Sequence, residues 1–242
     1  MHTLPASLLA MAAAGLAGPA AAQAAGPGPR LILDARTRFE TFDTGRLDAQ
    51  ALTARIRLGI EAPVGAGLSG LVEVEAVGAV LDHYADGVRP RPGAAVIPDP
   101  EVVELNRAQL SWTPATAFTA VVGRQRIVLD NARFVGASGW RQNEQTFDAV
   151  RLGWTPTKAL GLTYVYVDDV RRPLGRDHPQ GVWRSDSHLA QADLSVGHGV
   201  HASAYSYRLD LRNAPAQSSA TRGLRLTGKH AVRPGLSASW EL

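Results

Sequence analysis

"ALTARIRLGIE", residues 51–61, decides the fold. Leu52, Ala54, Ile56, Leu58 and Ile60 fall on one side of an extended chain, and Thr53, Arg55, Arg57, Gly59 and Glu61 on the other. Successive side chains point to opposite faces of a strand, so a period of two gives one apolar and one charged face. The pattern recurs along the chain. "LVEVEAVG" (71–78) opposes Val72, Val74 and Ala76 to Glu73 and Glu75, and "NRAQLSW" (106–112) opposes Ala108, Leu110 and Trp112 to Arg107, Gln109 and Ser111. "AVRLGW" (149–154), "LAQADLSV" (189–196) and "TRGLRLTG" (221–228) repeat it, placing Arg151, Asp193 and Arg225 on polar faces.

Short connections at "EAPVGAG", "TPATA", "TPTKALG", "GHG" and "VRPGL" alternate with long polar ones at 79–104, 129–144, 168–187 and 211–219. Such an order suits hairpins whose two ends face different surroundings. Transmembrane barrels have it, with short turns at one end and long loops at the other. Trp112 and Trp154 each precede a Thr-Pro turn, where an indole meets the membrane boundary, and Tyr164 and Tyr166 join an apolar face. The expectation is an all-β, antiparallel, up-and-down transmembrane barrel of about ten to eleven strands. A soluble periplasmic β-sandwich would show the same alternation, but its polar face would not need so many Arg, Glu and Asp residues. In a closed barrel all backbone groups pair between neighbours, which is what hydrocarbon requires.

The 242-residue chain has no cysteine, which removes disulfides and thiolate metal sites. Its net charge is +3, and nearly all of its positive charge is guanidinium, since lysine occurs only at Lys158 and Lys229. The opening "MHTLPASLLAMAAAGLAGPAAAQ" runs from an apolar stretch to small residues and reads as a secretory leader over residues 1–22, ahead of a barrel domain over 23–242. Beyond the leader no apolar run approaches the roughly 20 residues of a spanning helix.

The densest polar passage is "GRQRIVLDNARFVGASGWRQNEQTFDAV", residues 123–150. It reads as a strand ending near Leu129, a loop of about a dozen residues, and a strand starting near Gln145. Arg124, Arg126, Arg133 and Arg141, with Asp130, Glu144 and Asp148, are the charges that would lock such a loop into a lumen through arginine–carboxylate forks. Left unpaired, the same arginines would attract carboxylates or phosphates.

This passage resembles the signature region of the alginate-export family of bacterial outer-membrane β-barrels at Gly123, Arg124, Gln125, Asp130, Asn131, Arg133, Phe134, Gly136, Trp140, Arg141, Gln142, Asn143, Gln145, Thr146, Phe147, Asp148 and Ala149, and "ARTRFETFD" with "LTARIRLGIE" resembles that family's first hairpin. The resemblance implies an outer-membrane channel for a small polar or anionic solute, or an acidic polysaccharide. The candidate pore-lining and anion-contacting residues are Arg55, Arg57, Arg107, Arg124, Arg126, Arg133, Arg141, Arg151 and Arg225. Asp130, Asn131, Trp140, Gln142, Asn143 and Asp148 are the candidates for a constriction loop. Barrels of this family are usually longer, and the eleventh strand, "LSASWEL", begins and stops, so the sequence is expected to be the N-terminal part of a larger barrel.

Other chemistries fit less well. His198 and His201 stand three apart and would point to opposite faces of a strand, and Asp177-His178 lies in a Pro/Gly-rich stretch, so neither an enzyme triad nor a metal pair is spelled out. Asp168-Asp169 and Glu73/Glu75 are carboxylate pairs that a solvated loop and a charge-paired wall explain without a cation. Nucleic acid would want a basic patch with free aromatics, whereas these arginines are interleaved with acids. No cofactor is expected. The expected partners are outer-membrane lipid and the solute.

Overall fold

The computed structural model describes residues 28–233 and 235–242. The leader expected over residues 1–22 lies outside them. Eleven strands follow one another: β1 (Arg30–Asp43), β2 (Asp48–Gly65), β3 (Leu68–His83), β4 (Val102–Ala115), β5 (Phe118–Gln125), β6 (Thr146–Thr157), β7 (Leu160–Arg171), β8 (Val182–Gly197), β9 (Val200–Leu209), β10 (Ser219–Arg233) and β11 (Leu236–Glu241). They form one sheet in sequence order, with every neighbouring pair antiparallel. The sheet is unclosed, so β1 and β11 are its two edges.

Burial is inverted relative to a water-soluble protein. On β2, Arg55 and Arg57 are buried, while Ile56 and Leu58 are 40% and 49% exposed. On β3, Glu73 and Glu75 are buried at 1% and 0% exposure, alternating with the exposed Val72 and Val74. Apolar side chains outward and charged side chains inward is the arrangement a bilayer imposes on a barrel wall. Trp112, Phe118 and Trp154 gather on the outward face beside the tight turns. Trp112 meets Phe118 edge-on at 6.2 Å, and Phe118 lies opposite Trp154 in the ladder. No helix among the described residues is long and apolar enough to cross a membrane.

The two ends of the sheet differ as expected. Residues 66–67, 116–117, 158–159 and 198–199 make turns at one end, the end at which β10 also meets β11. Ala66-Gly67 and His198-Gly199 have positive φ at both central positions, the handedness that matches a twisted hairpin. At the other end lie loops 84–101 and 126–145, both folded against the inner face of the sheet. Ala95 and Ile97 of the first pack with Tyr84 against Ala49 and Ala51 of β2. Ile127, Leu129 and Val135 of the second pack on Phe147, Val165, Val167, Leu189 and Tyr207.

The second loop corrects one sequence-based boundary. The strand expected to run to about Leu129 ends at Gln125, opposite Phe147, and the loop is correspondingly longer. Ile127 and Leu129 alternate like strand residues, but their burial is against the inward side chains of β6 to β9 instead of in the ladder. Their apolar spacing therefore encodes a plug contact.

A guanidinium on the outward face at the bilayer midplane costs about 2–4 kcal/mol. Ile56→Arg in the full chain is expected to abolish the heat-modifiable, folded band seen by semi-native electrophoresis, whereas Ile56→Leu should leave it intact.

Candidate functional site

The inner face joins β1–β4 to loop 126–145 through a continuous set of charges. Glu144, at the root of the loop, is the hub. Its carboxylate accepts both fork hydrogen bonds of Arg126, at 2.6 and 2.7 Å, and one from the Asn106 amide at 2.7 Å, and it lies 3.5 Å from the Arg57 guanidinium. Arg57 is also paired with Glu75, and Arg55 with Asp34. Glu73 takes a two-pronged contact from Arg107, at 2.9 and 2.6 Å, and a further hydrogen bond from Asn106 at 2.7 Å. Buried charges are tolerable only when paired and hydrogen-bonded in this way.

Asn106 reaches both carboxylates because of a bulge. Glu73 pairs with Arg107 and Val74 with Leu105, which leaves Asn106 as the extra residue. Simple alternation would have turned it to the lipid. Sequence reading missed it for that reason.

Farther along the loop, Gln142 donates through its side-chain amide to the Thr53 carbonyl at 3.0 Å and the Thr53 hydroxyl at 2.9 Å. Its backbone N–H donates to Asp99 of the neighbouring loop at 2.9 Å. Asn143 donates to Glu104 at 3.0 Å and to the Pro173 carbonyl at 3.1 Å. Arg36 of β1 donates to Gln142 at 2.8 Å and to the Gly139 carbonyl at 2.9 Å, and Arg38 pairs with Asp99 and lies over the Trp140 ring. At its other end the loop meets β10 and β11: Asp130 pairs with Arg225 at 2.7 Å, and Asn131 donates to Glu241 at 3.4 Å. Asp130, Ala132 and Ser138 hold positive φ, a cost that the surrounding contacts sustain. Arg36, Arg38 and Asp99 were not among the sequence candidates. The spacing of "RTRFE" already set Arg36, Arg38 and Glu40 on one face, whereas nothing local marks Asp99 in "IPDPE".

Two candidates sit elsewhere than expected. Arg124 and Asp148 share the outward register of Val122 and Val150, since Gly123, Gln125, Phe147 and Ala149 occupy the inward positions. Asp148 accepts from Arg124 at 2.7 and 3.0 Å and from Arg171 at 2.8 Å, near the loop end of the sheet. They brace the wall from outside and do not line the lumen. Of the remaining arginines, Arg141 lies 3.7 Å from Glu40, and Arg133 covers the Phe134 ring. Arg151, flanked in register by Val121 and Val165, makes no ion pair among the described residues.

The "Alginate export" family model matches residues 33–231, which is most of the chain. The chain belongs to the alginate export family. With its inside-out strands, this member has its place in the bacterial outer membrane. Among solved structures, the fold is similar to OccAB1 of Acinetobacter baumannii (15% identity, TM-score 0.63, 88% of this chain and 50% of that one). It is likewise similar to OccK8 (OprE) of Pseudomonas aeruginosa (13%, 0.65, 88% and 52%) and OpdL of the same organism (20%, 0.57, 88% and 54%). The chain thus spans about half the length of these structures. No curated protein matches.

Burial by itself would raise the Glu144 carboxyl, but the hydrogen bond and charge of Arg126, the charge of Arg57 and the Asn106 amide outweigh it and hold it below the ordinary glutamate value. A depressed carboxylate stabilises the loop at neutral pH, and that contribution is lost as pH falls through the folded value. The protection of residues 139–145 from hydrogen exchange, corrected for the pH dependence of intrinsic amide exchange, should therefore fall in acid. Glu144→Gln, which strips Arg126 and Arg57 of their shared counter-charge at about 3–5 kcal/mol, should produce that loss of protection already at neutral pH. It should also flatten the acid dependence.

Proposed function

We propose that the protein is a channel wall and its internal constriction, passing polar or anionic solutes across the outer membrane, with an acidic polysaccharide as one such solute. The observation that carries this reading is the inner face itself. It is polar and charged along β1–β4, it is narrowed by a loop pinned at both ends, and one inward guanidinium, Arg151, has no carboxylate partner among the described residues. Charged groups lining a pore set which ions it admits.

Pairing sorts the candidate arginines by role. Arg55, Arg57, Arg107, Arg126 and Arg225 are each committed to a carboxylate, and their charge is largely cancelled at a distance. Arg151, on β6 beyond the pinned root of the loop, contributes a net positive charge that a passing carboxylate can meet. Arg133 and Arg141, only partly engaged, add to the same bias. The passage therefore prefers anions modestly, and the preference weakens with ionic strength because exposed charges are screened. The proposed activity is passage without catalysis.

The experiment is a planar-bilayer measurement on the full chain under a salt gradient, where the sign of the reversal potential reports the preferred ion. A modest anion preference is expected. Arg151→Gln should move the reversal potential toward cations with single-channel conductance nearly unchanged, whereas Arg57→Gln should chiefly alter conductance and its noise by loosening the loop. A cation-selective wild type, or an Arg151→Gln channel with an unmoved reversal potential, would refute this assignment.

A further inference from the structure

The outward face carries a feature that conduction does not use. Between β6 and β10 lies an apolar groove of about 980 Å³. Its floor is formed where small side chains face one another across the ladder, Ala192 opposite Ala204 and Ala190 opposite Ser206. Trp154 and Tyr164 wall one side and Leu224 the other, all in the outward register of their strands. The row of Val150, Leu152 and Trp154 on β6 and that of Leu224 and Leu226 on β10 show that this face is turned to lipid. In hydrocarbon a depression of this size is filled by whatever is beside it, because lining atoms without neighbours forfeit their dispersion contacts.

One polar group stands at its edge. Arg222 projects outward three residues from the loop end of β10, opposite Ser206, and it is exposed. Among the described residues it has no carboxylate within ion-pair distance, although nearby Arg208 is paired with Asp210 and Arg212 with Asp186. An apolar trough across β6–β10 with one free guanidinium at its β10 edge complements an acyl chain beside a phosphate. Arginine offers phosphate a planar fork of donors. We propose that this groove holds an acyl chain of an anionic phosphate-bearing lipid in the loop-side leaflet, with the headgroup phosphate on Arg222.

Trp154 supplies the readout, since a bromine on an acyl chain lying in the groove quenches its fluorescence. The full chain, folded in detergent, is titrated with phosphatidylglycerol or phosphatidylcholine carrying brominated chains, and the Trp154 signal is taken as the difference from a Trp154→Phe variant. Half-quenching should need about five-fold less phosphatidylglycerol than phosphatidylcholine, the factor equivalent to about 1 kcal/mol for one cation at an anionic surface. Arg222→Gln should erase that difference and Arg222→Lys should keep most of it. Ala204→Leu, which fills the floor, should weaken quenching by both lipids while the heat-modifiable band persists. Equal quenching by the two lipids in the wild type, or a preference that survives Arg222→Gln, overturns the proposal. So does loss of the preference on adding inorganic phosphate, which would make Arg222 a site for free anions. Shielding of Trp154 from both lipids would give the groove to a second copy of the chain, and would overturn it equally.

Discussion

Once one face of a strand is committed to hydrocarbon, every charge the strand carries must be accommodated on the other. Arg55 and Arg57 on β2, Glu73 and Glu75 on β3, and Arg107 on β4 are neighbours in the ladder and share one concave surface. Their pairing is a condition of the fold, because an unmatched charge buried there would be costly to keep out of water. The loop that enters the lumen completes this neutralisation by bringing Glu144, paired with Arg126 of the same loop, to Arg57 of the wall. Wall chemistry and loop position are thus one problem with one solution.

The apolar half of the inner face follows a different rule. Along β6 to β9 the inward positions carry Phe147, Val165, Val167, Leu189 and Tyr207, and the loop answers with Ile127, Leu129 and Val135. The loop is held by burial on that side and by ion pairs on the other, so its seating has a component that acid weakens and a component that acid leaves untouched. Hydrophobic contact positions it broadly, and directional hydrogen bonds from Gln142 and Asn143 fix the register against β2 and β4.

The alternation in residues 51–61, 71–78 and 221–228 was enough to read strands, faces and hairpin order, because a period of two is a local property of an extended chain. Turn and loop ends were legible for the same reason. What stayed hidden was non-local. A one-residue bulge turns Asn106 inward, and no pattern within "ELNRAQ" announces it. The parity of β5 sends Arg124 outward, which requires knowing where the ladder ends relative to Gly123, whereas Asp148 shares the parity of Val150 two residues on and was legible from it. Asp99 finds Arg38 and Gln142 only through the folding of two loops onto each other. The candidates Gln142 and Asn143 were identifiable through the family resemblance, but their partners Thr53, Glu104 and Pro173 come from distant segments.

The loop touches β1 through Arg36 and reaches β10 and β11 through Asp130 and Asn131. In geometrical terms it is a chord drawn across an arc of strands. A chord of fixed length sets the radius of that arc, so the curvature of this stretch of wall is specified within the stretch itself. Strands added at either edge would prolong the circumference without having to re-bend what is already here. Lengthening the segment between Asn131 and Gly139 would be the direct way for sequence change to widen the bore.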